Sequence, residues 1–399
     1  MMLHRAAALA LLGLTVLTGS LFAQERIVVL SEPGTPIVAT EILLAVGPID
    51  EPDSQAGIAH LAARSVIARV RPALDSIGAR ATVSAQKDAL SLSVTAAPDV
   101  WEDATRLVLV AMFREPVDSA SVMRERRAIV AELRGRVANP ADAATREQDE
   151  AYFGAAHPWG RPTVGTPETV ERLTFAQVDA FVEDAFTPDR AYAAVVGPTE
   201  VVDARDHLRS LIGTVFPAPA QLIPFRPIGR TVRREYNSIT TWISASYPFT
   251  ETADEEGLRF AVFLVADALS FSPSQRSVYN VWSDVVPRVG GGEARIQLVI
   301  PPEEVSQWTD RLEETIAGLG TATMHDDVFD GSLRRYTGDR IMRLIAPEDR
   351  AHEAARQLLV RGRLAGVIPE FSDMTQERLR AAARLLSSPT LVILGPTVD

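Results

Sequence analysis

The chain has 399 residues, enough for two or three domains as a first expectation, and a 46% hydrophobic content that is ample for large cores. Its 40 Lys and Arg stand against 52 Asp and Glu, a net charge of −12 that argues against nonspecific nucleic-acid binding. There is no cysteine, which removes disulfides, thiol catalysis and cysteine metal sites and leaves stability to packed cores. Lys87 is the only lysine.

The first residues read as an export signal over 1–23. Met1 to Arg5 is short and positive, Ala6 to Phe22 is apolar and small, and Ala23-Gln24 is a cleavage junction, with Ser20-Leu21 as a second choice. A retained membrane anchor is the alternative, although an apolar run of about 17 residues is at the short limit for crossing a bilayer. No second run approaches that length, so no stable membrane insertion is expected after cleavage. The expected location is periplasmic or secreted.

Glu25 to Leu30 and Ile37 to Val46 read as strands. A turn-rich loop follows over Gly47 to Asp53, and Ser54 is placed to cap a helix running to Leu74. Ala81 to Ser84 and Ala89 to Ala96 alternate like paired strands. Helices are expected from an Asp99 cap to Phe113, from Ser119 to Val137, and from Pro140 to Tyr152. His157 to Pro162 is an irregular loop, expected to serve packing. Helices over Pro167 to Leu173 and Thr174 to Ala185 precede a strand, Ala191 to Val196, closed by Gly197-Pro198-Thr199. Gly213 to Pro227 carries four prolines without periodicity and reads as a linker.

The pattern then restarts. Ile239 to Tyr247 reads as a strand, and Gly257, 200 residues after Gly57 (257 − 57), opens an apolar helix to Leu269. Thr375 starts a helix as Thr174 does. The strand Thr390 to Leu394 ends in Gly395-Pro396-Thr397, 198 residues after the first such ending (395 − 197). Two anchors at nearly equal offsets indicate an internal duplication of one α+β unit, with helices on one face of a mainly antiparallel sheet. The domains are therefore 24–212 and 228–399, joined by the linker 213–227. Gly290-Gly291-Gly292 lacks the strand-to-helix context of a phosphate loop and reads as a turn between strands.

Taken together, these segments resemble the zinc peptidases of the insulinase, pitrilysin and mitochondrial processing peptidase type, in their short bacterial form. The resemblance rests on Val46-Gly47-Pro48 with its acidic loop, Gly57-Ile58-Ala59-His60, Gly78 with the strand pair after it, and Glu125 to Glu132. His157-Pro158-Trp159-Gly160, Gly165-Thr166-Pro167-Glu168 and Val195-Val196-Gly197 complete it, and it spans nearly all of the mature chain. It implies two homologous halves facing each other around a chamber. Active relatives bind zinc through both histidines of H-x-x-E-H and a downstream glutamate, with the motif's own glutamate as base. The matching positions here are His60, Arg64 and Glu132, with Ala63 at the base position and Glu125 at a further glutamate position facing the site.

A catalytic zinc needs three protein ligands and an open position for water. Arg64 is always charged and offers no lone pair, and Ala63 cannot take a proton from a metal-bound water. No zinc or other cofactor is expected, and Arg64 is expected to pair with Glu132 in the vacated metal position. A solvated charged face on an Arg-rich helix is the plainer alternative for Glu125 and Glu132. Phe260, Phe263 and Leu264 of the second half fall where His60, Ala63 and Arg64 fall, and the remaining histidines include no pair four apart.

The resemblance also implies substrate contacts. An arginine and a tyrosine of the second half are matched by Arg276 and Tyr279, and a peptide-accepting sheet edge by Arg80, Ala81 and Thr82. The resulting expectation is a non-catalytic homologue that forms a heterodimer with an active peptidase subunit of its family and helps bind peptide substrate. A divergent zinc metallopeptidase and a stand-alone peptide-binding or scaffold protein are the alternatives.

Overall fold

In the computed structural model the described residues are 25–214, 227, 229–270, 278–368, 371 and 373–397. The export segment, most of the linker and Arg276 lie outside them.

The first half runs β1 (Ile27–Ser31), β2 (Val38–Leu44), α1 (Ile58–Ser76), β3 (Arg80–Ala85), β4 (Leu90–Ala96), α2 (Trp101–Phe113), α3 (Ser119–Arg136) and α4 (Pro140–Phe153). It closes with α5 (Pro167–Arg172), α6 (Phe175–Ala185), β5 (Ala191–Gly197) and α7 (Val201–Ile212). The second half runs β6 (Arg230–Glu235), β7 (Thr241–Phe249), α8 (Glu255–Ser270), β8 (Asn280–Arg288) and β9 (Gly291–Ile300). It continues with α9 (Val305–Thr321), α10 (Asp326–Arg343), α11 (Pro347–Arg361), α12 (Gln376–Leu385) and β10 (Thr390–Gly395).

Each half builds a five-stranded sheet, ordered β1-β5-β2-β4-β3 and β6-β10-β7-β9-β8. The orders match strand for strand, and in each sheet only the pairing of the first strand with the last is parallel. The duplication expected from the sequence is thus a duplication of topology, and the fold is α+β in two homologous halves.

β2 and β5 are buried at every residue, which requires cover on both sheet faces. Val38, Ile42 and Leu44 of β2 join the core beneath α1, whereas Leu43 packs with Tyr192, Ala194 and the α11 residues Ala354, Ala355 and Leu358. The period of two assigns one face to the half's own helices and the other to a helix from the second half. The exchange is reciprocal. α4 of the first half packs on β7 and β10, placing Ala143 and Ala144 against Leu394 and Trp242.

Within the chain, α4 and α11 each cover the sheet face that the other half's own helices leave bare. "Helices on one face" holds only for each half's own helices. The exchanged helices are fastened by charge. Asp149 of α4 meets Lys87 of its own half at 2.9 Å and Arg295 of β9 at 3.2 Å, so one carboxylate holds a cation from each half. His352 of α11 meets Glu41 of β2 at 2.9 Å, and Arg356 grips Asp88 at 2.7 and 2.8 Å. Burial opposes the charge of Asp88, yet Arg356 holds that carboxyl below its usual range.

Several boundaries differ from expectation. Ser54 lies in a separate 3-10 turn, so α1 starts at Ile58 with Gly57 as its N-cap, and α2 starts after Val100 without a side-chain cap from Asp99. α8 starts two residues before Gly257, and β7 starts at Thr241, leaving Ile239 exposed. Among the described residues no helix is long and apolar enough to cross a membrane.

Candidate functional site

Gly57 turns the chain into α1 with a φ of 91°, and a Cβ there would lie 2.6 Å from the Val164 carbonyl oxygen. Only glycine fits that turn without moving the Val164 segment. The first amides of the helix are satisfied by Glu51, whose carboxylate accepts from Gly57 N and Ala59 N at 3.0 Å each. Burial pushes the Glu51 carboxyl up to about 6, against the pull of those two hydrogen bonds.

With the start of α1 fixed, His60 and Arg64 stand one turn apart on a common face. α3 packs along α1 and brings Glu125 and Glu132, seven residues apart, to that face. The Arg64 guanidinium joins them. Its Nε and one terminal nitrogen donate to Glu125 Oε2 at 3.0 and 2.8 Å, and its other terminal nitrogen donates to Glu132 Oε2 at 2.7 Å. Glu125 is buried and Glu132 is exposed. The hydrogen bond from Arg64 holds the Glu132 carboxyl below its usual range.

His60 is buried beside this cluster, and its Nδ1 finds no hydrogen-bond partner. Burial, and then the Arg64 charge, pull its pKa down to about 4, with Glu132 opposing. The ring is therefore neutral at pH 7. Ala63 is fully buried.

These residues do not fit a catalytic zinc. Two carboxylates that could serve as ligands are both taken by a permanent cation, which contributes no lone pair and repels a dication. Among the described residues no group of three His, Asp or Glu is placed to hold a metal. In the second half, α8 and α10 stand where α1 and α3 stand, but the space is packed with rings. Phe260 lies 5.1 Å from Tyr336 and 5.9 Å from Phe329, centroid to centroid.

The expected substrate residues are divided. Arg80, Ala81 and Thr82 open β3, one of the two edge strands of its sheet. Ala81, Val83 and Ala85 pack against the core, while Arg80, Thr82 and Ser84 alternate with them on the exposed side. A groove of about 330 Å³ runs where β3 meets α1, lined by Ile67, Arg71 and Leu74 of the helix and by Arg80, Ala81 and Thr82. Tyr279 is not brought to this cluster. It is exposed and precedes β8, the edge strand of the other sheet, where its backbone N–H donates to Val299 O at 2.8 Å. Sequence reasoning missed Glu51, Glu41 and Lys87. A lone glutamate inside an apolar strand was the available signal for Glu41, because it demands a buried partner.

No family model matches the chain. An uncharacterized zinc protease of Mycobacterium leprae is 24% identical over 429 residues, covering 96% of this chain and 91% of the relative. The peptidase M16 inactive domain from Pseudomonas fluorescens superposes with a TM-score of 0.79 at 16% identity, over 94% of this chain and 97% of that one. The periplasmic protease PqqL from Escherichia coli superposes with a TM-score of 0.71 at 14% identity, over 92% of this chain but only 44% of that one.

Proposed function

We propose that the chain is a non-catalytic homologue of the insulinase–pitrilysin type of peptidase, which holds an extended peptide on β3 and pairs with an active subunit of the same type. The observation that carries this reading is the Arg64 guanidinium bridging Glu125 and Glu132. It puts a fixed cation where catalysis needs a metal, beside an alanine where catalysis needs a base. Pairing is supported by PqqL, of which this fold makes up less than half. Residues 1–23 would direct the chain to the periplasm or out of the cell.

Peptide capture needs no metal. An extended segment can add to the free edge of β3 through backbone hydrogen bonds, with side chains alternating above and below the sheet. The test is to incubate purified protein with a labelled extended peptide, measure binding by anisotropy, and recover the peptide for mass spectrometry. Saturable binding with the peptide recovered intact is expected. Cleavage products that disappear on chelation would favour the second reading, a divergent zinc peptidase, which the naming of the Mycobacterium leprae relative supports. Binding without any associated peptidase in the native host would favour a stand-alone binding protein.

A further inference from the structure

The face that carries the β3 edge is basic on an acidic molecule. α1 contributes Arg64, Arg69 and Arg71 against Asp75, α3 contributes five arginines against Glu125 and Glu132, and β3 adds Arg80. That is nine arginines against three acids, an excess of six positive charges in a chain whose net charge is −12. Glu115, Glu171 and Asp142 reach in from neighbouring segments to pair with Arg69, Arg134 and Arg136 at 2.8 Å each, and Asp118 caps α3 near Arg69 and Arg124, which leaves an excess of two. Arg71 and Arg80 are both exposed, and both line the groove beside β3. Neither has a carboxylate partner among the described residues, and Asp75 is the one acid on the groove wall.

Resting on the peptide reading above, we propose that the segment taken by the β3 edge is acidic, with one of its carboxylate side chains held by Arg71 and Arg80. Guanidinium–carboxylate hydrogen bonds are charge-assisted and directional, so they select an acid over its amide isostere. The local excess of positive charge steers such a peptide to this face, although the molecule as a whole repels it.

The experiment uses the purified full chain and a set of labelled, Ser- and Thr-rich octapeptides in which one glutamate is walked through every position, with Gln and Lys counterparts. Anisotropy titrations at low salt should show one glutamate position binding on the order of five- to tenfold more tightly than its Gln counterpart. The preference should shrink as salt rises. In the Arg71→Glu/Arg80→Glu variant it should invert in favour of Lys. Both sites are exposed, and an unchanged thermal transition confirms that this variant folds. If Glu and Gln peptides bind alike, acid selection is wrong while peptide binding stands. If no octapeptide binds, the peptide reading itself falls and takes this inference with it. A glutamate preference that survives in the double variant overturns the assignment to Arg71 and Arg80. Equal competition by polyphosphate, which has no backbone to pair with β3, would make the face a general anion surface and overturn the peptide subsite.

Discussion

Arg64 holds two carboxylates of very different exposure, and that difference decides what each contributes. The Glu125 side chain is 10% exposed and the Glu132 side chain 55%. Removing the arginine leaves the buried Glu125 carboxylate with only Arg124, 3.9 Å away, so Arg64→Ala should destabilise the protein by about 2–4 kcal/mol in urea unfolding. Glu132→Ala removes a solvent-screened partner and should cost less than about 1 kcal/mol. His60 gives a pH signature. Its folded pKa, near 4, is below the ordinary 6.5, so the unfolded chain takes up the proton first as pH falls. The stability that depends on a neutral His60 is complete above about pH 6.5 and is lost toward pH 4, on the order of 3 kcal/mol in all. Glu51 has the opposite sign. Its folded pKa, near 6, is above its ordinary value, so its contribution favours the fold as pH drops through that range. The difference between wild type and His60→Gln therefore isolates the histidine, and the variant should lose less stability than wild type between pH 6.5 and 4. The Arg64–Glu132 contact was legible through the resemblance, which put both residues at metal-ligand positions on neighbouring helices. That Glu125 is the deeper partner was not legible, because spacing gives the face of a helix but not its depth. The helix cap was misassigned to Ser54 because a 3-10 turn, invisible to periodicity, separates it from α1.

At the scale of elements, strands and helices announced themselves by period and by their Gly, Pro and Thr boundaries. The Thr174 and Thr375 starts, for example, are both side-chain caps in the structure. The repeated strand order shows that the 200-residue offset read in the sequence reflects topology as well as local resemblance. The exchange of α4 and α11 was not legible. An amphipathic helix declares that it has an apolar face, but not which sheet that face will cover, and here the answer lies in the other half of the chain. Leu358 of α11 is fully buried against the first sheet. Leu358→Ala should cost about 2–5 kcal/mol, and calorimetry should show the loss spread over both halves. A loss confined to a separate C-terminal transition would mean that α11 is only loosely docked.

For the whole molecule, the exchanged helices and the Lys87–Asp149–Arg295 link make the two halves one cooperative unit despite the proline-rich connection between them. A single thermal transition is expected, where independently folding domains would give two. The same packing gives the central strands of both sheets cover on both faces. If Arg64 stands in place of a metal, zinc titration of the purified chain beside its Arg64→His variant shows it most directly. Wild type should bind no zinc at this site and cleave no peptide, while Arg64→His, which restores an imidazole one turn from His60 and frees both carboxylates, should bind one equivalent. One equivalent of zinc in the wild-type chain, with peptide hydrolysis that a chelator abolishes, would contradict it.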